Sequence, residues 1–168
     1  MIALIGLPGT GKTTVGRQLA KRLSVSFLDS DQVIENRVGT SIRCFFESYG
    51  EDAFRDIEQD VIAELVRGGQ PMVLSTGGGV VLRAANRKIL RGNAQVVYLR
   101  SAPEELYRRL RHDTSRPLLQ VTDPVAKLRE LYEVRDPLYR ETAHYIMETG
   151  RPSVATLVNK IVMQLELS

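Results

Sequence analysis

Gly6-Leu7-Pro8-Gly9-Thr10-Gly11-Lys12-Thr13 lies between a short apolar run, residues 2–5, and a stretch whose apolar residues recur at helical spacing. The pattern G-x-x-x-x-G-K-[ST] at a strand-to-helix junction is suited to phosphate. Its glycines let successive backbone N–H groups turn inward, and the following helix adds the positive end of its dipole. Lys12 can bridge the β- and γ-phosphates, and the Thr13 hydroxyl can ligate Mg²⁺. A glycine-rich turn with a chance Lys-Thr is the bland alternative, and the flanking strand and helix argue against it.

The alternation of buried runs and helix-length amphipathic stretches continues through all 168 residues, which predicts one α/β domain with a mainly parallel sheet. Strands are expected at residues 2–5, 26–28, 72–74, 95–99 and 145–147. Helices are expected at 12–23, in three pieces over 32–66 broken near Gly39-Thr40 and Tyr49-Gly50, and at 83–90, 103–112, 124–133 and 153–167. Asp136-Pro137 reads as an interruption after the stretch at 124–133, and Ser153 as the N-cap of the last. The polar segment 113–123 contains Arg116-Pro117 and reads as a loop.

Composition narrows the function classes. One cysteine, Cys44, forms no internal disulfide and no thiolate metal cluster, which points to a reducing cytoplasm, and Cys44 itself is expected to be inert and buried or half-buried. No signal peptide or membrane span is expected. A net charge of +3, with no stripe of stacking aromatics, argues against nucleic acid as a partner. Arginine supplies 18 of the 23 cations; codon bias accounts for most of that excess, so only individually placed arginines carry weight.

Several residues are placed where chemistry could use them. Asp29 and Asp31, at the end of the second strand, face the crevice where open parallel sheets bind ligands if the backbone stays extended. One carboxylate could hold a metal through water while the other takes a hydroxyl proton; alternatively, Ser30 or Asp31 caps the next helix. Gly77-Gly78-Gly79 exposes backbone amides to close approach, or is a bare turn. Arg55 and Arg135, each beside apolar residues, could grip one carboxylate, or form ion pairs with Asp56, Glu58 or Asp136. Arg109, Arg111 and Arg116 lie in or beside the polar segment, where a closing lid would carry a cation onto a transferring phosphoryl group; a solvated basic loop is the alternative.

Together with Leu28-Asp29-Ser30-Asp31, the segment 50–58 around Phe54-Arg55, Ser75 to Gly79, Arg116-Pro117-Leu118-Leu119 and Arg135-Asp136-Pro137-Leu138-Tyr139, in that order, the chain resembles the shikimate kinases over essentially its whole length. The departures fall at Cys44-Phe45 and Tyr49. The resemblance implies a P-loop NTPase of the nucleoside-monophosphate-kinase type, a three-layer α/β/α fold on a five-stranded parallel sheet, with a substrate-binding insert at about 32–66 and a lid at about 113–123.

The reaction it implies converts ATP and shikimate to ADP and 3-phosphoshikimate with Mg²⁺, in a cytoplasmic monomer. By position, Asp31, Lys12 and Arg116 would be catalytic, with Asp31 binding and deprotonating the acceptor hydroxyl. Arg55 and Arg135 would clamp the substrate carboxylate, Gly78 and Gly79 would offer amides, and Phe46 and Phe54 would form an apolar wall. Gly9, Thr10, Gly11, Lys12, Thr13, Thr14 and Arg116 would hold ATP, with Arg109 and the Arg151-Pro152 turn beside adenine. Thr13 would ligate the metal and Asp29 would reach it through water. A gluconate kinase of the same fold is the alternative enzyme, although it would not need two arginines converging on a carboxylate. A nucleotide-sensing regulator is the alternative class.

Overall fold

The computed structural model describes residues 1–111, 121–150 and 152–167. Five parallel strands form one sheet in the order β2-β3-β1-β4-β5: β1 Ile2–Ile5, β2 Ser26–Asp29, β3 Met72–Ser75, β4 Gln95–Arg100 and β5 Tyr145–Glu148. The helices of the described residues are α1 Lys12–Leu23, α2 Ser30–Val38, α3 Ile42–Arg67, α4 Ala84–Asn93, α5 Pro103–Leu110, α6 Pro124–Thr142 and α7 Val154–Glu166, with a 3₁₀ turn at Val80–Leu82. None of the described helices is long and apolar enough to cross a membrane.

Strands buried on both faces read as continuous apolar runs, and β1, β3 and β4 do so because helices cover both sides. One core joins Ile5, Leu74, Val96 and Tyr98 to Ile62, Leu106, Leu128 and Tyr139. The other joins Leu4, Val73, Val97 and Leu99 to Leu19 of α1 and to Leu157 and Ile161 of α7. A smaller cluster of Ile34, Phe45, Phe54 and Val61 ties α2 to α3. The expected break at Tyr49-Gly50 is a kink inside α3, where Gly50 has φ 84°.

Two expectations fail. Asp136-Pro137 does not interrupt α6, which runs through Pro137 to Thr142. Proline removes one N–H from the helix, but tertiary contacts on either side outweigh that loss. Asp136 accepts a hydrogen bond from the Tyr98 hydroxyl at 2.7 Å, and Tyr139 is fully buried against the Tyr98 ring. Cys44 is exposed rather than buried, because the inward positions of that turn of α3 go to Phe45 and, in part, Phe46.

Candidate active site

Three adjacent strands end side by side, and each delivers a different part of the site. Leu4 of β1 and Asp29 of β2 both pair in register with Ser75 of β3, so the loops that follow all three open onto one crevice. Thr76 ties the loop after β3 to β1, its N–H and hydroxyl both donating to the Leu4 carbonyl. The crevice holds a cavity of about 400 Å³ lined by Gly9, Lys12, Thr13, Asp29, Asp31 and Gly78, among others.

The loop after β1 has the form its sequence predicts. Gly11 has φ 90°, which L side chains rarely adopt, and it caps α1 without a side-chain hydrogen bond, so the first N–H groups of the helix stay open to an anion. Lys12 is buried and donates to the carbonyls of Gly6 at 2.6 Å and Leu7 at 2.9 Å, folded over its own loop. Thr10 closes the same turn through its hydroxyl to Leu7. Thr13 lies beside Asp29, at 3.3 Å from Oγ1 to Oδ2, while Thr14 faces solvent. Leu110, at the end of α5, packs against Gly9; nothing in the sequence marked it.

The helix cap expected at Ser30 or Asp31 falls instead on Asp29, whose Oδ1 accepts from the Asp31 N–H at 2.9 Å. Asp29 therefore serves the cap and Thr13 at once, and Asp31 sits in the first turn of α2 rather than on extended backbone. Both carboxylates still line the crevice. Burial, then the nearby charges of Asp29 and Glu58, push the Asp31 carboxyl up to about 6 against the pull of Lys12. Its Oδ1 is buried with no hydrogen-bond partner among the described residues.

The triple glycine is a floor on which four side chains rest. A methyl group on Gly77 would stand 2.7 Å from Asp31 Oδ1, and one on Gly78 would stand 2.7 Å from Pro8 Cδ and 3.3 Å from Arg135 Nη1. One on Gly79 would overlap the Arg55 guanidinium. A bare turn would not need three residues without side chains. Arg55 and Arg135, 80 positions apart in sequence, thus meet Asp31 across three residues.

The ion-pair alternative also holds for Arg55. Its Nη1 donates to Glu58 at 2.9 Å and its Nη2 contacts Glu51 at 3.2 Å. Asp56 instead pairs with Arg83, and Asp136 with Arg140. Phe46 and Phe54 stack at 4.8 Å, with the Arg55 guanidinium over both rings. Glu58 has a fully buried side chain; burial raises its pKa, and Arg55 pulls the other way. Residue types assign Glu58 no role beyond an ion pair, and its position one helical turn after Arg55 is the signal the sequence carries for that pair. Arg109 hydrogen-bonds the Thr149 carbonyl, three positions before Pro152 in sequence. Arg116 and Arg151, and most of the lid expected at 113–123, lie outside the described residues.

The family model for shikimate kinase matches residues 8–166. A shikimate kinase of Paracidovorax citrulli is 58% identical over 169 residues, covering 99% of this chain and 92% of the relative. Among solved structures, a shikimate kinase from Acinetobacter baumannii in complex with shikimate superposes with a TM-score of 0.92 at 46% identity, over 98% of this chain and 91% of that one. A gluconokinase from Sinorhizobium meliloti, at 17% identity and a TM-score of 0.58 over 98% of this chain and 90% of that one, shares the fold alone.

Proposed function

The chain belongs to the shikimate kinase family, and from that membership we propose the part each residue of the crevice plays. It is an ATP-using phosphotransferase that converts shikimate to 3-phosphoshikimate. The observation that carries the residue assignments is the convergence of Asp31, Arg55 and Arg135 on Gly77, Gly78 and Gly79.

Arg55 and Arg135 grip the carboxylate of shikimate, and the Gly78 and Gly79 amides complete that end of the pocket. Phe46 and Phe54 cover the ring. Asp31 accepts the hydrogen bond of the 3-hydroxyl and takes its proton as that oxygen bonds to the γ-phosphorus. The bond from the γ-phosphorus to the β–γ bridging oxygen breaks, and its electron pair leaves with ADP. A carboxyl held at about 6 is ionised at neutral pH yet basic enough to matter, which suits this task.

Lys12 exchanges the Gly6 and Leu7 carbonyls for the β- and γ-phosphates, while Gly9, Thr10, Gly11, Thr13 and Thr14 enclose them. Arg116 adds a second cation at the phosphoryl group, and Arg109, Arg151 and Pro152 border adenine. A hydroxyl and a carboxylate side by side, Thr13 and Asp29, fit Mg²⁺, an ion that keeps waters and substrate oxygens in its shell. Thr13 would ligate it directly and Asp29 through water; when bound, it neutralises charge on the β- and γ-oxygens.

The test is ADP release with ATP and Mg²⁺ in the presence of shikimate, gluconate, nucleoside monophosphates or no acceptor. Stimulation by shikimate alone is expected. Equal stimulation by gluconate would remove the carboxylate clamp formed by two arginines as the source of specificity.

A further inference from the structure

Tyr139 lies on α6 one turn after Arg135 and is fully buried, stacked on Tyr98 with ring centroids 4.8 Å apart. A buried phenol needs a hydrogen-bond partner, and the partners of the two tyrosines differ. Tyr98 donates to the Asp136 carboxylate of α6 at 2.7 Å. Tyr139 donates to the carbonyl oxygen of Gly78, the middle of the three glycines.

That bond fixes more than one oxygen. The peptide unit between Gly78 and Gly79 is planar and trans, so its C=O and N–H point in opposite directions. With the Gly78 carbonyl held by Tyr139, the Gly79 N–H is turned away from the tyrosine, and the Arg55 guanidinium lies against the same glycine. Glycine peptides otherwise rotate at little cost, and among the described residues the Gly78 and Gly79 N–H groups donate to no backbone acceptor that would hold them. Arg135 lies against Gly78, its Nη1 3.3 Å from where a side chain there would begin, and its charge favours the ionised Tyr139 phenol against the effect of burial.

We propose that Tyr139 is a positioning residue for acceptor binding, its hydroxyl setting the direction of the Gly79 amide and the seat of Arg135 so that both address one carboxylate. The proposal rests on the assignment of Arg55, Arg135 and Gly79 to the shikimate carboxylate. It gives the final tyrosine of the Arg-Asp-Pro-Leu-Tyr segment a role distinct from core packing, and it explains why α6 must continue through Pro137: a break there would separate Arg135 from Tyr139.

Steady-state kinetics of Tyr139→Phe, Tyr98→Phe and Arg135→Ala, with thermal unfolding of each, test it. Both phenylalanine variants keep the stacked rings and each loses one buried hydroxyl. Tyr139→Phe is expected to raise the KM for shikimate roughly five- to tenfold, the worth of one buried hydrogen bond, with a smaller change in kcat and none in the KM for ATP. Tyr98→Phe, at a similar loss of thermal stability, should leave the shikimate KM within about twofold. An unchanged shikimate KM in Tyr139→Phe, while Arg135→Ala raises it, would overturn the positioning role and leave the clamp standing. Equal effects of the two phenylalanine variants on all parameters would reduce Tyr139 to packing and overturn it as well. An Arg135→Ala variant with normal shikimate KM would overturn the clamp, and the proposal with it.

Discussion

Arg55 donates to Glu58 at 2.9 Å, and the carboxylate it reaches has no exposure to solvent. The cation proposed to grip the substrate anion is therefore already held by a buried anion, with Glu58 Oε2 left free of any hydrogen bond among the described residues. The pairing aims the guanidinium over Phe54 and Gly79 instead of letting it extend into water. The same charge contributes to the raised pKa of Asp31.

Glu58→Gln keeps the shape and removes the charge. The shikimate KM should rise, because Arg55 loses its charged anchor, and the acidic limb of the kcat/KM profile should move to lower pH, because one of the charges raising Asp31 is gone. A profile that does not move would show that Glu58 does not act on Asp31.

Asp31→Asn separates chemistry from stability. Loss of the base should lower kcat by about 10²- to 10⁴-fold with ATP binding nearly intact. The folded pKa of about 6 lies above the ordinary 3.8, so the folded state binds the extra proton, and stability contributed by this group is present below pH 3.8 and lost as pH rises through 6. The difference of about two units corresponds to at most about 3 kcal/mol. Denaturant unfolding at pH 7.5 should therefore find Asp31→Asn more stable than the parent, with the gap closing toward pH 4. A variant less stable at both pH values would contradict the cause assigned to the shift.

In the parent, kcat/KM should fall about tenfold per pH unit below pH 6, since the base must be ionised. A flat profile down to pH 5 would remove Asp31 from the proton-transfer role.

The floor glycines should fail in different ways. Gly77→Ala drives a methyl into the short Asp31 side chain and should act mainly on kcat, whereas Gly79→Ala drives one into the Arg55 guanidinium and should act mainly on the shikimate KM. Arginine can shift at its far end, so the second variant should fold normally. Identical kinetic signatures would show that the two positions do not serve separate groups.

Much of this site was legible in the chain because its parts obey local rules. The phosphate loop is a contiguous pattern whose requirement for positive φ at Gly11 follows from its geometry. What stayed open depended on packing between distant segments. Residue types left Arg55 between clamp and ion pair, and the structure shows it paired with Glu58 while lying on Gly79. The cap of α2 falls on Asp29 because the helix begins two residues earlier than expected, directly at the end of β2. Pro137 misled for a similar reason: helix propensity is a local preference, and the contacts of Asp136 and Tyr139 that override it come from β4 and the glycine loop.

The central claim is that two arginines on a glycine floor recognise a carboxylate. Its most direct test compares kcat/KM for shikimate and for the neutral carboxamide analogue, in the parent and in Arg55→Ala and Arg135→Ala. A loss of about 100-fold or more on going to the amide is expected in the parent, with the discrimination largely gone in either variant. If the parent used the amide as well as shikimate, or if the variants kept the full discrimination, the carboxylate would be read elsewhere and the account of this site would be wrong.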